Sequence, residues 1–166
     1  RSQKLDHFRV TTLERGADGN FLLDTTFHAK YGPAPTEIPV RLLYDDPSLN
    51  YPTRYACYIG RSLWCTGDGE TATRLSEAPQ DLKTKGPSPR EVACPCERQA
   101  PEYAGQDRCK MNGSLSVLIE GMGGIGGVWK FRTTSYNSII GILSSMQFLR
   151  SVTSGVLANI PLVLRI

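Results

Sequence analysis

Three cysteines lie close together in the second half of the chain. In the stretch CPCERQAPEYAGQDRC, the C-x-C pair Cys94 and Cys96 is followed after twelve residues by Cys109. Zinc is bound well by thiolates, and structural zinc sites hold four ligands in a tetrahedron. The intervening loop is long enough to fold back on itself. The spacing therefore predicts that these cysteines bind one structural zinc ion.

A fourth zinc ligand must come from elsewhere in the chain. Cys65 ends a predicted strand directly before a TGDG turn and is the best candidate. Cys57 lies on an alternating strand face, which favours a place in the core, and His7 and His28 are the remaining options. C-x-C is tighter than the usual C-x₂-C of zinc knuckles, so three free thiols in a loop stay the alternative.

A catalytic group is much harder to find than a metal ligand. The chain has no G-x-S-x-G motif, and neither histidine belongs to a recognisable acid–base pair. A zinc site with an open fourth position would permit hydrolysis. Glu97 and Asp107 lie near the cysteines, but solvated loop carboxylates explain them more simply. We therefore expect a protein that is not an enzyme, with a zinc-dependent hydrolase as one alternative.

A second group of residues has the composition of a nucleic-acid-binding surface. The stretch VWKFRTT interleaves aromatic and basic residues on one predicted strand, and strand aromatics stack on bases in RRM-type sheets. The alternative is that the aromatic side chains pack under a helix and the basic ones lie in solvent. The candidate nucleic-acid-binding residues are Trp129, Lys130 and Arg132 on this strand and Lys83, Lys85 and Arg90 in a basic loop.

The glycine-rich segment 121–127 contains a literal G-x-G-x-x-G. A dinucleotide site needs this motif between a strand and a helix, whereas a predicted strand follows it here. A hairpin connection is the better interpretation.

These residues are positioned by predicted strands and one clear helix. Apolar residues recur at helical spacing over 136–155, after Ser135 as N-cap and before Gly155 as the stop. Alternation predicts strands at 5–13, 38–46, 114–121, 128–134 and 160–166, a short helix at 21–32 and a hairpin region at 50–76.

The order of these elements predicts a single α+β domain over 1–166, with an antiparallel sheet backed by the C-terminal helix. It suggests a ferredoxin-like βαββαβ fold. An insertion at about 50–112 would carry the hairpin, a mobile loop at 77–91 and the cysteine knuckle at 94–109. Sheet edges can pair between chains, so self-association stays open.

Composition sets limits on the class of protein. The net charge of +3, from 19 basic and 16 acidic residues, permits nucleic-acid binding without requiring it. Five cysteines, unevenly spaced, argue against a disulfide scaffold. No apolar run is long enough to span a membrane, and no secretory signal begins the chain. We expect a cytoplasmic protein without membrane contact.

Several segments together resemble a known family. LWCTGDGETATR, CKMNGSLSVLIEG, GVWKFRTTSYNSI and SGVLANIPLVLRI are similar to the recombination directionality factor-like proteins of phages and integrative elements. The resemblance runs from about residue 38 onward and is strongest over 94–166. It implies that the cysteines form the family's metal site, and that the protein binds a serine integrase and switches it from integration to excision.

The leading hypothesis is a zinc-stabilised accessory protein of a mobile element, in a bacterial cell or phage-infected host. It would bind a recombinase, DNA or both. The main alternative is an RRM-like module that binds DNA or RNA.

Overall fold

An antiparallel sheet of eight strands dominates the computed structural model, which describes residues 5–60, 62–100, 108–122 and 127–166. Helices pack against one of its faces, and a separate two-stranded hairpin lies beside it. The described strands are β1 Thr11–Arg15, β2 Phe21–Leu23, β3 Glu37–Arg41, β4 Thr53–Ile59, β5 Ser62–Gly67, β6 Thr71–Arg74, β7 Arg90–Ala93, β8 Lys110–Ile119, β9 Trp129–Thr133 and β10 Leu162–Arg165. The described helices are α1 Thr25–Tyr31, α2 Pro47–Asn50, α3 Asp81–Thr84 and α4 Tyr136–Val152, with a 3-10 turn at Glu97–Gln99.

The strand β8 is the axis of the sheet. The strand order is β10-β3-β8-β4-β5-β6-β7, and β9 also pairs with β8. The register places Val117 of β8 opposite Trp129 and Gly113 opposite both Thr133 and Thr53. A side chain at Gly113 would collide with the buried Tyr51, because its first carbon would lie 2.1 Å from the Tyr51 hydroxyl. Glycine therefore allows the tyrosine to pack on the strand.

One face of the sheet, here called the inner face, carries the main core. Alternate residues of β8, Leu115, Val117 and Ile119, are buried there against Ile139 and Met146 of α4. The opposite, outer face presents the intervening residues of β8, which are half-buried or exposed. This alternation is the two-residue period of a strand with one face buried.

The prediction of an antiparallel sheet with a C-terminal helix is confirmed. Helix α4 begins where expected, and the Ser135 hydroxyl caps it by accepting from the Ser138 N–H. The expected region at 50–76 forms β4, β5 and β6, and β7 extends it to a four-stranded meander. Segment 77–91 contains α3 and the start of β7.

The ferredoxin-like topology is not confirmed, because the sheet has eight strands among the described residues rather than four. The expected first strand at 5–13 is instead β1, which pairs with β2 outside the main sheet. The expected helix at 21–32 begins as β2 and becomes α1 only after Asp24, whose carboxylate accepts from the Phe27 N–H. Aspartate is a favoured residue at a helix N-cap, and the strand β2 ends directly before Asp24.

The segment between β3 and β4 is held by one buried amide. Asn50 accepts from the N–H groups of Leu43 and Tyr44, and its side-chain NH₂ donates to the carbonyls of Tyr44 and Asp46. Asp45 then ties this turn to the chain after α4, because its carboxylate accepts from the N–H of Leu157 at 2.8 Å.

Candidate functional site

All five cysteines lie in one region of the meander. Cys57 of β4 and Cys65 of β5 are direct partners in the strand register. Both are buried, as is Cys109 directly before β8, whereas Cys94 after β7 and Cys96 before the 3-10 turn are half-buried. We call these five residues the thiol cluster.

The environment of the cluster is apolar. Burial is the main cause that raises the pKa of the Cys109 thiol to about 12, and the neighbouring thiols Cys96, Cys57, Cys94 and Cys65 raise it further. Burial also raises the pKa of Cys65, opposed by a hydrogen bond from Arg74. In this environment the thiols of Cys65 and Cys109 stay protonated at neutral pH unless a cation binds them.

The four predicted zinc ligands, Cys65, Cys94, Cys96 and Cys109, are therefore brought together by the structure, and Cys57 joins them. Thiols from separate segments are the donor type that zinc uses. Within the described ranges, however, no three His, Cys, Asp or Glu side chains are arranged to hold a metal ion. The donors thus fit zinc by chemistry and proximity but not by arrangement, and the zinc site stays a prediction.

The two histidines that could have completed the metal site lie elsewhere. His28 accepts from the Val10 N–H through Nε2, and its Nδ1 lies 3.1 Å from the Gly32 carbonyl. His7 pairs with Asp6 at 2.7 Å. Neither histidine belongs to the thiol cluster, since His7 precedes β1 and His28 lies in α1.

Trp64 closes one side of the thiol cluster, and sequence reasoning did not single it out. Its Nε1–H donates to the carbonyl and hydroxyl of Ser76, at 3.2 and 3.0 Å. The guanidinium groups of Arg74 and Arg98 lie over its ring at 4.6 and 4.7 Å from the centroid. Its position next to Cys65 in the sequence was the available signal. The arrangement places two guanidinium groups beside the thiol cluster.

The aromatic residues of β9 do not face solvent as a stacking surface. Trp129 lies 6.5 Å from Phe27, and Phe131 lies 5.9 Å from Phe8, in each case between ring centroids on the inner face. Lys130 is exposed on the other face, where its register partner is Ser116. This is the arrangement of the alternative in which the aromatics pack inward and the basic residues lie in solvent.

The basic residues of the loop and those of β9 are not brought together. Lys83 and Lys85 are exposed on α3, and Lys85 lies 3.3 Å from Asp81. Arg90 on β7 pairs with Glu77. The strand order places β7 at the end of the sheet, four strands away from β8 and its partner β9. Two of the three loop residues are also already paired with carboxylates.

The remaining sites from the sequence have simpler positions. Glu97 is exposed in the 3-10 turn, and Asp107 lies outside the described residues. Most of the G-x-G-x-x-G motif, at 123–126, lies outside them as well. Where the chain is described, no helix is both long and apolar enough to cross a membrane.

One further surface suits a protein partner. Tyr136, Ile140, Phe148 and Val152 are exposed on α4 and follow one another at multiples of four residues, with Ser144 between them. Residues four apart are neighbours on a helix surface, but each such step turns by about 40°, so the row winds around the exposed half of α4. Arg150 is the single charged residue in α4, so this exposed apolar row, here called the α4 stripe, is almost free of charge. Its neighbouring members Phe148 and Val152 expose large apolar side chains, which are common in binding sites.

Comparison with known proteins gives one result. A family model described as Gp3-like, recombination directionality factor-like, matches residues 1–166, which is the whole chain. No curated protein and no solved structure matches the chain.

Proposed function

We propose, since this chain belongs to the Gp3-like, recombination directionality factor-like family, that it is a non-enzymatic accessory protein that controls the direction of a site-specific recombinase. The single observation that carries the proposal is the family match over the whole chain. The partner we propose is a serine integrase of the same mobile element, bound to its DNA.

The mechanism would be differential binding. A ligand shifts an equilibrium only by the difference in its affinity for the two states. The accessory protein would therefore bind the excision-competent arrangement of the recombinase–DNA complex more tightly than the integration-competent one. A tenfold preference corresponds to about 1.4 kcal/mol, so a modest contact surface is sufficient to bias the outcome.

The α4 stripe is the surface we propose for the recombinase. Phe148 is the most exposed of its apolar residues, at 66%, and interface energy is concentrated in a few large apolar or aromatic residues. A charge at this position would oppose docking on an apolar partner surface without disturbing the buried side of the helix.

The test is a recombination assay with purified integrase and separate substrates for integration and excision. The wild-type protein is expected to raise excision and suppress integration. Phe148→Asp is expected to lose at least about tenfold of this effect. The matched control is Val163→Asp, which adds the same charge at an exposed apolar residue of β10. An unchanged direction of recombination with the wild-type protein would overturn the proposal.

For the thiol cluster we propose one zinc ion with Cys65, Cys94, Cys96 and Cys109 as ligands. The support is the convergence of these thiols from β5, the C-x-C segment and the start of β8. Bound zinc supplies a fixed positive charge that keeps thiolates deprotonated. In its absence Cys65 and Cys109 stay buried, and burial raises the pKa of both thiols.

Elemental analysis and X-ray absorption of the purified protein test the zinc proposal. The expected result is one zinc per chain with four sulfur ligands, reduced in Cys65→Ser and retained in Cys57→Ser, its direct strand partner. An oxygen ligand would contradict the closed site and favour the hydrolase alternative. No bound metal would contradict zinc itself.

A further inference from the structure

The outer face of the sheet carries a group of basic residues that the sequence does not place together. On β9 this face holds Lys130 and Arg132, on β8 it holds Lys110, and on β4 it holds Arg54. All four are exposed. We call them the basic track.

The strand register fixes the shape of the track. Lys130 lies opposite Ser116 and Arg132 opposite Ser114, while Arg54 lies opposite Asn112 on the other side of β8. Lys110 is two residues further along β8. Strands rise about 3.4 Å per residue and lie about 4.8 Å apart. Lys130 and Lys110 are therefore about 20 Å apart along the strand direction, and the four charges are spread over three neighbouring strands.

Arg54 lines one cavity with the carboxyl side chains of Asp46, Asp68 and Glu91, so its charge is partly offset by acidic neighbours. No ion pair involves any of the four residues of the track among the described residues. The pKa of Asp68 is lowered chiefly because its carboxylate accepts from the N–H groups of Glu70 and Thr71, and Arg54 contributes only a minor part. The other arginines of this face differ, since Arg41 pairs with Glu120 at 2.8 Å and Arg165 with Glu37 at 2.6 Å.

The surface between the charges is made of short polar side chains. Ser114 and Ser116 of β8 lie opposite Arg132 and Lys130 and are half-buried. Hydroxyl groups and basic side chains are the groups that contact phosphate oxygens in nucleic-acid complexes. The nearby Trp129 and Phe131 pack on the inner face. The track therefore offers phosphate contacts without an aromatic platform for unstacked bases.

From these observations we propose that the basic track binds the sugar–phosphate backbone of double-stranded DNA without reading its sequence. The choice of DNA over other polyanions rests on the proposed function, because recombinases act on DNA. The binding itself rests on the geometry and charge of the track. It would hold the accessory protein against the DNA next to the recombinase that the α4 stripe contacts.

Fluorescence anisotropy with a labelled 30-bp duplex of arbitrary sequence, and no recombinase, tests the proposal. The logarithm of the binding constant falls by about 0.9 per phosphate contact for each unit of log salt concentration, so four contacts predict a loss of roughly 100-fold between 50 and 200 mM salt. The triple variant Arg54→Gln, Lys130→Gln, Arg132→Gln is expected to bind at least tenfold more weakly at 50 mM and to have a shallower salt slope.

The matched control is the double variant Lys83→Gln, Lys85→Gln, which removes exposed charges on α3 and leaves the track intact. It is expected to bind within about threefold of wild type, since each removed charge far from the DNA changes only the long-range field. An equal loss per charge in the control would overturn the proposal, as would wild-type protein that does not bind at 50 mM. Tighter binding to single-stranded than to duplex DNA would also contradict it.

The two proposals fail separately. If duplex binding is absent but the protein still changes the direction of recombination, the track is wrong and the accessory role stands. If the track binds duplex DNA and the recombinase is unaffected, the accessory role is wrong and the track stands. Circular dichroism and a thermal melt of each variant show whether the sheet is intact.

Discussion

The protein has two buried clusters that are built from different materials. The first lies between the inner face of the sheet and its helices and contains large apolar residues such as Phe27, Ile139 and Leu157, all fully buried. The second lies in the meander and consists largely of Cys57, Cys65 and Cys109 with Trp64 and Ala72. The first cluster is stabilised by apolar area. The second buries Trp64 among small side chains, and the Trp64 N–H donates to Ser76.

The chain carries a fluorescent probe for each cluster. It has two tryptophans, of which Trp64 belongs to the second cluster and Trp129 packs against the first. Variants that retain one of them report on one cluster alone.

The largest effect is expected at the centre of the first cluster. Phe27→Ala would leave a cavity between α1, β9 and the rest of the core, at a cost of about 3–5 kcal/mol in the free energy of unfolding. Leu13→Ala is the control, because Leu13 is 94% exposed on the hairpin, and it should change stability by less than about 0.5 kcal/mol. Urea denaturation measures both. Similar losses in the two variants would show that Phe27 is not central to the core.

Loss of the polar contacts of Trp64, the largest residue of the second cluster, should lower the free energy of unfolding by less than loss of the Phe27 ring does. Trp64→Phe keeps an aromatic ring but removes the N–H that donates to Ser76, for an expected loss of about 1–2 kcal/mol. A double-mutant cycle with Ser76→Ala should give a coupling of about 1 kcal/mol. Additive effects would mean that this hydrogen bond does not stabilise the cluster.

The first cluster is predictable from the sequence to a large extent because its pattern is local. Leu115, Val117 and Ile119 alternate along β8, and Ile139 and Met146 follow the helical period of α4. The hairpin β1–β2 was missed since β2 has three residues and lies against the start of a helix. Segments this short carry too few residues for a period to be recognised.

The candidate sites are predictable only in part, because they depend on strand register. The C-x-C pair and Cys109 are neighbours in sequence, but the pairing of Cys57 with Cys65 follows from a register that includes a shift after Cys57. The basic track needs three strands to be aligned, and Arg54 is far from Arg132 in the chain. A one-residue slip would move either side chain to the opposite face.

Thiol reactivity should separate the outer and inner members of the second cluster. In metal-free protein, Cys94 and Cys96 are half-buried and should react with a thiol reagent at least about tenfold faster than the other three, which need local opening. Added zinc should protect all four proposed ligands. Uniform reaction of the five thiols in native, metal-free protein would contradict the difference in burial.

The smallest predicted effect is a loss of stability in acid. It should differ between the two clusters because the carboxylate of Asp45 is hydrogen-bonded to the chain next to the first one. The pKa of Asp45 is lowered from its ordinary 3.8, chiefly because its carboxylate accepts from the N–H groups of Ala158 and Leu157. A depressed pKa stabilises the folded state fully above the ordinary value, and this contribution is lost as pH falls through the folded value. Asp45 holds Leu157, so the first cluster should weaken below about pH 4.

Trp129 fluorescence in a Trp64→Phe background measures this acid transition. The stability difference between Asp45 and Asp45→Asn proteins should be constant from pH 5 to 7 and shrink below pH 4. Trp64 in a Trp129→Phe background follows the second cluster. With zinc bound, that cluster should also weaken in acid, because protons compete with the metal for thiolates. Without zinc, burial holds the pKa of Cys65 and Cys109 above the ordinary thiol value, so these two thiols have no proton to gain in acid and an acid response there depends on the metal and not on Asp45.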